Sequence, residues 1–270
     1  MTLDRINERG MVLLGCGKMG SALLAGWLAQ GVQPGCVHVV EPHPSDWLRS
    51  SGVALNADMP DSPAVVVLAV KPQMMGNALP ALQSLGGGKT LFISIAAGTQ
   101  LARISDMLGA RTPVIRAMPN TPAAVGQGIS ALIGNETVSE ADLQLAENLL
   151  AAVGQTLRLE SETQMDAVTA LSGSGPAYVF HMIEAMARAG QAQGLSPDMA
   201  MQLARATVTG AAALARDTPD SAAQLRINVT SPGGTTAAAL AVLMDETHGL
   251  PPLMERAIAA AAARSQELAQ

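Results

Sequence analysis

Aromatic residues are scarce in this chain of 270 residues, at 2%, and charged residues make up only 14%. The apolar residues, 49% of the total, are therefore mostly alanine, valine, leucine, isoleucine and methionine, which favours packed helices and buried parallel strands. There are few rings on which bases could stack, and the net charge of −6 includes no basic stripe. We therefore expect no nucleic-acid binding.

Cysteine, long apolar runs and clustered histidines are also lacking. Cys16 and Cys36 are the only cysteines and form no CxxC motif, which predicts a reduced protein in the cytoplasm. No apolar run approaches the roughly 18 to 20 residues of a membrane span, so we expect no membrane partner. Residues 1–10 are polar and predict a frayed N-terminal extension rather than a signal peptide. The scattered histidines predict no metal site.

Short runs of valine, isoleucine and leucine recur through the first part of the chain and predict strands covered on both faces. We predict strands at Met11–Leu14, Val37–Glu41, Ala64–Val70, Leu91–Ile95 and Val114–Ala117, with Ile129–Ile133 as an edge strand. Helices are predicted from Ser21 to about Gln30 and, capped by Ser139, from Glu140 to about Val153. This alternation indicates an α/β fold with a doubly wound parallel sheet.

From residue 161 onward the sequence shows helix signals and no confident strand. Predicted helix starts lie at Ser174-Gly175-Pro176, Ser196-Pro197-Asp198 and Thr218-Pro219-Asp220, and the last predicted helix spans roughly Leu253 to Glu267. Each start combines a capping hydroxyl with a proline in the first turn. We therefore expect two domains, an α/β domain at 11–160 and an all-helical domain at 161–270.

A GxGxxG motif follows the first strand and opens the first predicted helix of the sheet domain. It consists of Gly15, Cys16, Gly17, Lys18, Met19 and Gly20. In this context Gly15 permits a tight turn, Gly17 lets the backbone approach a pyrophosphate, and Gly20 lets helix and strand pack closely. The motif predicts a Rossmann-type dinucleotide site in preference to the alternative, an ordinary glycine turn, because it follows a strand and opens a helix.

Glu41 ends the second predicted strand, 21 residues after Gly20. An acid at this place usually accepts hydrogen bonds from the adenosine ribose and disfavours a 2′-phosphate. The alternative is a solvated strand end. No arginine follows before Arg49, so the sequence shows no obvious site for the 2′-phosphate of NADPH.

Further candidates stand where the third, fourth and fifth strands end, at the edge where ligands lie in such sheets. They are Ala69, Val70, Lys71 and Pro72, then Ala96, Ala97 and Gly98, and then Asn120 within RAMPNTP. Small residues after the fourth strand would let a flat ring approach, and Asn120 offers an amide. Equally, Lys71 suits a solvated loop, and a plain turn explains the last segment.

The helical half contains Ser231-Pro232-Gly233-Gly234-Thr235-Thr236. Consecutive glycine N–H groups between hydroxyls, followed by a helix from about Thr236 to Met244, resemble an anion nest that would hold a substrate carboxylate. An ordinary N-cap would explain one hydroxyl but not two glycines between hydroxyls.

Taken in order, these segments resemble pyrroline-5-carboxylate reductase. The resemblance runs from about Met11 to Gln270 and includes GxGxxG, AVKP, AAG, RAMPNTP, the stretch from Asp166 to Phe180, and SPGGTT. The last two are far more specific than the first. The resemblance implies that NADPH or NADH reduces 1-pyrroline-5-carboxylate to L-proline, the final step of proline biosynthesis. It also implies that the helical domain is a dimerisation domain, in a homodimer or a larger ring of dimers.

The resemblance also implies roles for individual residues. The implied cofactor contacts are Gly15, Cys16, Gly17, Lys18, Met19, Ala69, Val70, Lys71, Pro72, Ile95, Ala96, Ala97 and Asn120, and the implied substrate contacts are Ser231, Gly233, Gly234, Thr235 and Thr236. Thr236 is the candidate catalytic residue, because its hydroxyl would orient the ring nitrogen. Glu41 departs from the neutral or basic residues common in the family, which puts a preference for NADPH in doubt.

Two other functions compete with this one. A β-hydroxyacid-type dehydrogenase shares the first domain but needs a lysine on a helix of the second, and no lysine occurs from Gln155 to the end. A non-catalytic dinucleotide sensor would use its second half only as an interface. The SPGGTT segment argues against the sensor, since an interface needs no anion site.

Overall fold

The computed structural model describes residues 2–268. The strands are β1 Met11–Leu14, β2 Val37–Val40, β3 Ala54–Leu55, β4 Val65–Leu68, β5 Leu91–Ser94, β6 Val114–Met118, β7 Gly128–Gly134 and β8 Gly154–Arg158. The α-helices are α1 Thr2–Arg9, α2 Lys18–Ala29, α3 Asp46–Ser50, α4 Met75–Ala78, α5 Leu101–Leu108, α6 Glu140–Ala151, α7 Met165–Val168, α8 Gly175–Ala192, α9 Pro197–Asp217, α10 Ala222–Asn228, α11 Thr235–Leu243 and α12 Leu250–Leu268. Within the described range, no helix has the length and apolarity needed to cross a bilayer.

All eight strands form one sheet, in the order β3-β2-β1-β4-β5-β6-β7-β8. Neighbours run parallel, except that β6 and β7 are antiparallel. The order reverses at β1, with β2 on one side and β4 on the other. The predicted doubly wound sheet is therefore confirmed, and the carboxyl ends of β1 and β4 flank the crevice where ligands bind in this architecture.

Helices cover both faces of the sheet. As a result β1, β4, β5 and β6 are buried along their whole length. One face packs against α2 and α6, where the Trp27 indole N–H donates to the Leu149 carbonyl at 2.8 Å. The other face packs against α5, through Ile104, and against the 3₁₀ segment Leu79–Leu85, through Leu82. These two layers hold the strand ends, and the loops that follow them, in fixed positions.

The N-terminal segment differs from the predicted frayed extension over 1–10, because its described residues form α1. Ile6 is fully buried in the core. Arg9 donates to the backbone oxygens of Ser62, at 3.1 Å, and Lys89, at 2.7 Å, just before β4 and β5. One buried apolar side chain and one bridging arginine anchor a polar helix that no apolar pattern reveals.

The outer strands of the sheet differ from the prediction in one respect. The segment Ile129–Ile133 belongs to β7, which is not an edge strand, because β8 pairs beyond it. The residues of β8 are intermediate or exposed. Its sequence is too polar to resemble the buried strands.

The described residues divide into two compact units. The first includes the sheet, the chain up to Gly173 and the part from Ala261 onward; the second is Ser174–Ala260. The structure has no strand after Arg158 within 2–268, so the all-helical second half is confirmed. The exact domain boundary, at 160 and 161, stays a prediction.

Two of the three predicted helix starts in the second unit are confirmed. The helix α8 begins at Gly175, and the Ser196 hydroxyl caps α9 by accepting the Met199 N–H at 3.4 Å. The start predicted at Thr218-Pro219-Asp220 is wrong by a few residues. Ser221 caps α10 instead, since its hydroxyl accepts the N–H of Gln224, the third residue of that helix, at 3.2 Å.

The second unit has almost no apolar core of its own. Within the described range its buried hydrophobic residues are three alanines, Ala187, Ala200 and Ala204. Its exposed large apolar side chains include Val179, Phe180, Met182, Met186, Met199, Leu203, Leu214, Ile227, Val229, Val242, Leu243 and Met244. An apolar surface of this extent marks an interaction site, because water would otherwise contact it.

Candidate functional site

The glycine-rich loop closes tightly on itself and on β4. Gly15 has φ +89°, and a Cβ there would lie 2.8 Å from the Ala69 carbonyl oxygen. A Cβ on Gly20 would lie 2.5 Å from the Gly15 carbonyl oxygen. At Gly17, by contrast, a Cβ would meet nothing within 4 Å. The first and third glycines are therefore required by packing, whereas the second borders open space.

The start of α2 suits an anion. Its N-cap is Gly17, which supplies no side-chain hydrogen bond, and the first turn contains no acidic residue. The first N–H groups of a helix have no partner within the helix, and the positive end of its dipole attracts negative charge. Lys18, exposed at the first helical position, adds a further positive charge. A pyrophosphate group would satisfy both features.

Glu41 lies directly against this loop, immediately after β2. One carboxylate oxygen accepts the Cys16 N–H at 2.8 Å, and the other accepts the His43 N–H at 2.9 Å. Asn56, at φ +51°, holds the Glu41 backbone by exchanging two hydrogen bonds of 2.9 Å with its N–H and carbonyl. Burial, and secondarily the Glu41 carboxylate, raises the pKa of the Cys16 thiol to about 11.

The segment after β4 lies on the other side of the same crevice. The Ala69 N–H donates to the Leu14 carbonyl at 2.8 Å, so the strand pairing continues as far as the glycine-rich loop. Val70 is half-buried, Lys71 is exposed, and Pro72 begins a short 3₁₀ turn. The predicted residues after β1, β2 and β4 are thus brought together at one edge of the sheet.

The loop after β5 contributes small residues to that edge. The Ile95 N–H donates to the Leu68 carbonyl at 3.0 Å, and the Ala96 N–H donates to the Ser94 hydroxyl at 3.3 Å. Ala96 is buried whereas Ala97 is exposed. The loop therefore presents a methyl group and backbone to a ligand, which leaves room for a flat ring.

Asn120, after β6, already uses its amide within the protein. Its oxygen accepts the Ile129 N–H at 3.0 Å. Its nitrogen donates to the carbonyl and hydroxyl oxygens of Ser172, at 3.4 Å and 3.3 Å. These bonds connect β7 and the π-helical turn Thr169–Gly173 to the strand end, so the amide shapes the edge of the site.

The predicted substrate segment opens α11 in the second unit. The Gly234 N–H donates to the Ser231 carbonyl at 3.0 Å, and Gly233 adopts φ +71°, so the turn requires glycine there. Gly234 is the N-cap, and the first helical turn contains no acid. The leading N–H groups, from Thr235 and Thr236 onward, are available to an anion such as a carboxylate.

One ion pair near the candidate cofactor site could not be predicted from the sequence. Arg116 in β6 and Glu162 form an ion pair at 2.8 Å although 46 residues separate them. Arg116 stands inside the RAMPNTP motif, but nothing in the sequence marks Glu162 as its partner, because no local spacing connects them.

Two family models match separate parts of the chain. Residues 162–268 match the model described as pyrroline-5-carboxylate reductase dimerisation. Residues 11–98 match the model described as NADP oxidoreductase coenzyme F420-dependent. The two matches cover the helical half and most of the parallel strands of the sheet.

Relatives of known name match nearly the full length. The pyrroline-5-carboxylate reductase of Pseudomonas aeruginosa is 42% identical over 266 residues, which are 96% of this chain and 97% of that protein. The enzyme of the same name from Glycine max is 39% identical over 262 residues, 94% of each chain.

Solved structures agree in fold over the same length. The pyrroline-5-carboxylate reductase of Coxiella burnetii matches with a TM-score of 0.91 and 37% identity, covering 98% of this chain and 100% of that one. The pyrroline carboxylate reductase of Plasmodium falciparum, solved with NADP bound, matches with a TM-score of 0.83 and 27% identity, covering 98% and 99%.

Replacing single glycines separates ligand contact from packing of the loop. We expect Gly17→Ala to retain thermal stability but to weaken dinucleotide binding at least about tenfold, roughly 1.4 kcal/mol, because its methyl group would occupy the open space. Gly20→Ala should lower the melting temperature as well as the affinity. Calorimetric titration with NADH and NADPH, and thermal denaturation, measure the two effects.

Gly35→Ala is the matched control, because a Cβ there also meets nothing within 4 Å and the residue precedes β2 at the opposite end of the strand. It should change neither quantity. Unchanged affinity in Gly17→Ala would contradict the placement of a pyrophosphate beside this loop.

Proposed function

Because the chain belongs to the pyrroline-5-carboxylate reductase family, we propose that it reduces 1-pyrroline-5-carboxylate to L-proline by hydride transfer from NADPH or NADH. This is the final step of proline biosynthesis. The observation that carries the proposal is the identity of 42% to a reductase of that name over 96% of this chain. Both candidate anion sites support it, since the cofactor and the substrate each carry an anionic group.

The chemistry needs little acid–base help from the protein. Transfer of a hydride to an iminium carbon discharges a cation, so no strong acid is required at the transition state. The protein must mainly fix the distance and angle between the nicotinamide and the substrate ring. This requirement agrees with a chain whose second half contains no lysine.

The cofactor is proposed to bind along the carboxyl ends of the strands within residues 11–160. The pyrophosphate would lie at the start of α2, the adenosine ribose near Glu41, and the nicotinamide near Ile95–Ala97. The open space at Gly17 and the exposed position of Ala97 support this orientation.

The substrate carboxylate is proposed to bind at the start of α11 within residues 161–270. The N–H groups of the Ser231–Thr236 segment would hold the carboxylate, and the Thr236 hydroxyl would orient the ring nitrogen. Thr236 is the second helical residue, behind the N-cap Gly234, and is half-buried. Its hydroxyl is thus not the cap of the helix, which supports a role toward a ligand.

The rival functions are less well supported. A β-hydroxyacid-type dehydrogenase would need the lysine that the second half lacks. A dinucleotide sensor gives no reason for the glycine turn and the acid-free helix start at α11. Oxidation of NADPH or NADH on addition of pyrroline-5-carboxylate tests the reductase against both.

The assembly is proposed to be a homodimer, or a ring of such dimers, formed through the second unit. The unit exposes many large apolar side chains around three buried alanines, and a helix that is apolar on several sides needs partners. We also propose a cytoplasmic location, where the free thiols of Cys16 and Cys36 would stay reduced.

Thr236→Ala tests the catalytic role. We expect kcat/KM for pyrroline-5-carboxylate to fall about 100-fold, comparable to the loss of one positioned polar group, with unchanged cofactor affinity and melting temperature. Thr236→Ser, which keeps the hydroxyl, should retain much of the activity. Thr247→Ala, at an exposed position after α11, is the control. A less stable Thr236→Ala enzyme with normal kcat/KM would leave only a structural role.

Glu41 should set the choice of cofactor. Its carboxylate would repel a 2′-phosphate, so we expect NADH to support turnover at least as well as NADPH, and Glu41→Gln to shift the ratio toward NADPH. Asp46→Asn removes a nearby exposed charge and should not shift it. A wild-type preference for NADPH above about 100-fold, roughly 2.7 kcal/mol, would show that Glu41 does not face the ribose.

Oligomerisation should fail when the exposed apolar face of α9 is charged. Leu203 is 51% exposed, and Leu203→Asp should convert the dimer to a monomer in sedimentation velocity because a buried carboxylate is costly at an interface. Leu157→Asp, at 53% exposure on β8, is the matched control and should leave the dimer intact. A wild-type protein that sediments as a monomer would refute the assembly.

A further inference from the structure

Arg116 is a buried cation with one counter-charge. Its side chain is 3% exposed, and its Nη1 donates to a carboxylate oxygen of Glu162 at 2.8 Å. Its Nε and Nη2 have no hydrogen-bond partner among residues 2–268. If Glu162 moved away, the buried charge of Arg116 would be left uncompensated, which is strongly destabilising. The guanidinium therefore holds the Glu162 carboxylate in place.

Glu162 in turn holds the start of α5. The same carboxylate oxygen accepts the backbone N–H of Leu101, the first residue of that helix, at 2.9 Å. The N-cap Gln100 makes no side-chain capping bond. Glu162 therefore supplies, from a distant part of the chain, an acceptor for one of the leading N–H groups of α5, which have no partner within the helix.

The contacts close a ring around the loop between β5 and α5. Ser94, the last residue of β5, is the register partner of Arg116 in β6. The loop then leaves Ser94 and returns at Leu101, which is joined to Arg116 through Glu162. Both ends of the loop are thus tied to the position of one arginine.

We propose that Arg116 and Glu162 are positioning residues. They hold the Ile95–Gln100 loop, at the carboxyl end of β5, in the position that it needs to contact the nicotinamide ring. The inference rests on the proposed function, which places that ring beside Ile95–Ala97. Ala97 is exposed and has no side-chain hydrogen bond of its own to hold it. Backbone bonds from Ile95 and Ala96 hold the start of the loop, and Glu162 holds its other end at Leu101. Since the loop would touch the ring only with small groups, its position depends on these attachments.

Binding of two ligands by the full-length protein tests the proposal. ADP-ribose has the pyrophosphate and adenosine of NADH but no nicotinamide, so it does not need the loop. We expect Glu162→Ala to raise the dissociation constant of NADH about tenfold, because the loop is no longer preorganised, and to leave that of ADP-ribose unchanged. Glu162→Gln, which keeps an oxygen acceptor for both N–H groups, should have a smaller effect on NADH and still fold.

Arg116→Lys and Arg5→Met complete the experiment. The lysine keeps the charge and should partly preserve the NADH to ADP-ribose ratio. Arg5 pairs with Asp142 at 3.0 Å in another partly buried ion pair between α1 and α6, so Arg5→Met is the control for loss of stability and should leave the ratio at the wild-type value.

Three outcomes would overturn the inference. These are equal weakening of NADH and ADP-ribose in the Glu162 variants, no weakening of either, and a wild-type protein that binds both ligands equally. A wild-type protein that binds NADH more tightly than ADP-ribose but does not reduce pyrroline-5-carboxylate would instead refute the proposed function. In that case the ratio in the variants still tests whether the loop is positioned by Arg116 and Glu162.

Discussion

The close approach of β1 to β4 at their carboxyl ends is the constraint on which the candidate cofactor site depends. Gly15 can turn away from β1 at φ +89° only because no Cβ meets the Ala69 carbonyl, which would be 2.8 Å away. The same turn places Gly20 against Gly15 and so fixes where α2 begins. Glu41 then reaches the loop from β2 through the Cys16 N–H. The predicted cofactor residues converge because the parallel strands all end at this edge.

Much of this arrangement could be predicted from the sequence because it depends on local patterns. A fully buried strand such as Val65–Leu68 must be apolar throughout, and a positive φ at Gly15 favours glycine. Elements that depend on one or two long-range contacts could not be predicted. The helix α1 is held by Ile6 and Arg9, and the polar strand β8 is defined by pairing with β7.

In the candidate site, too, residues within local motifs could be predicted from the sequence, whereas contacts between distant residues could not. Gly17 and Glu41 stand at positions that the motif spacing indicates, although the bond from Cys16 to Glu41 appears only in the fold. The Arg116–Glu162 pair spans 46 residues, so no helical or strand period connects its members. No feature of the sequence indicates that Arg116 is buried in the middle of β6, because arginine side chains are rarely fully buried unless they are paired.

The helices of this chain differ in the residue at their N-cap. Serine side chains cap α3, α6, α9 and α10 by accepting a backbone N–H. Glycine occupies the N-cap of α2 and of α11, and neither helix has an acid in its first turn. A helix that serves only the fold gains about 1 kcal/mol from a capping side chain. The helices α5 and α8 also begin without a side-chain cap, so a missing cap alone marks no ligand site. At α2 and α11 the missing cap coincides with a glycine N-cap, which leaves the N–H groups open to a ligand. One chain with two such starts is suited to a reaction between two anions, a dinucleotide and a carboxylate-bearing imine.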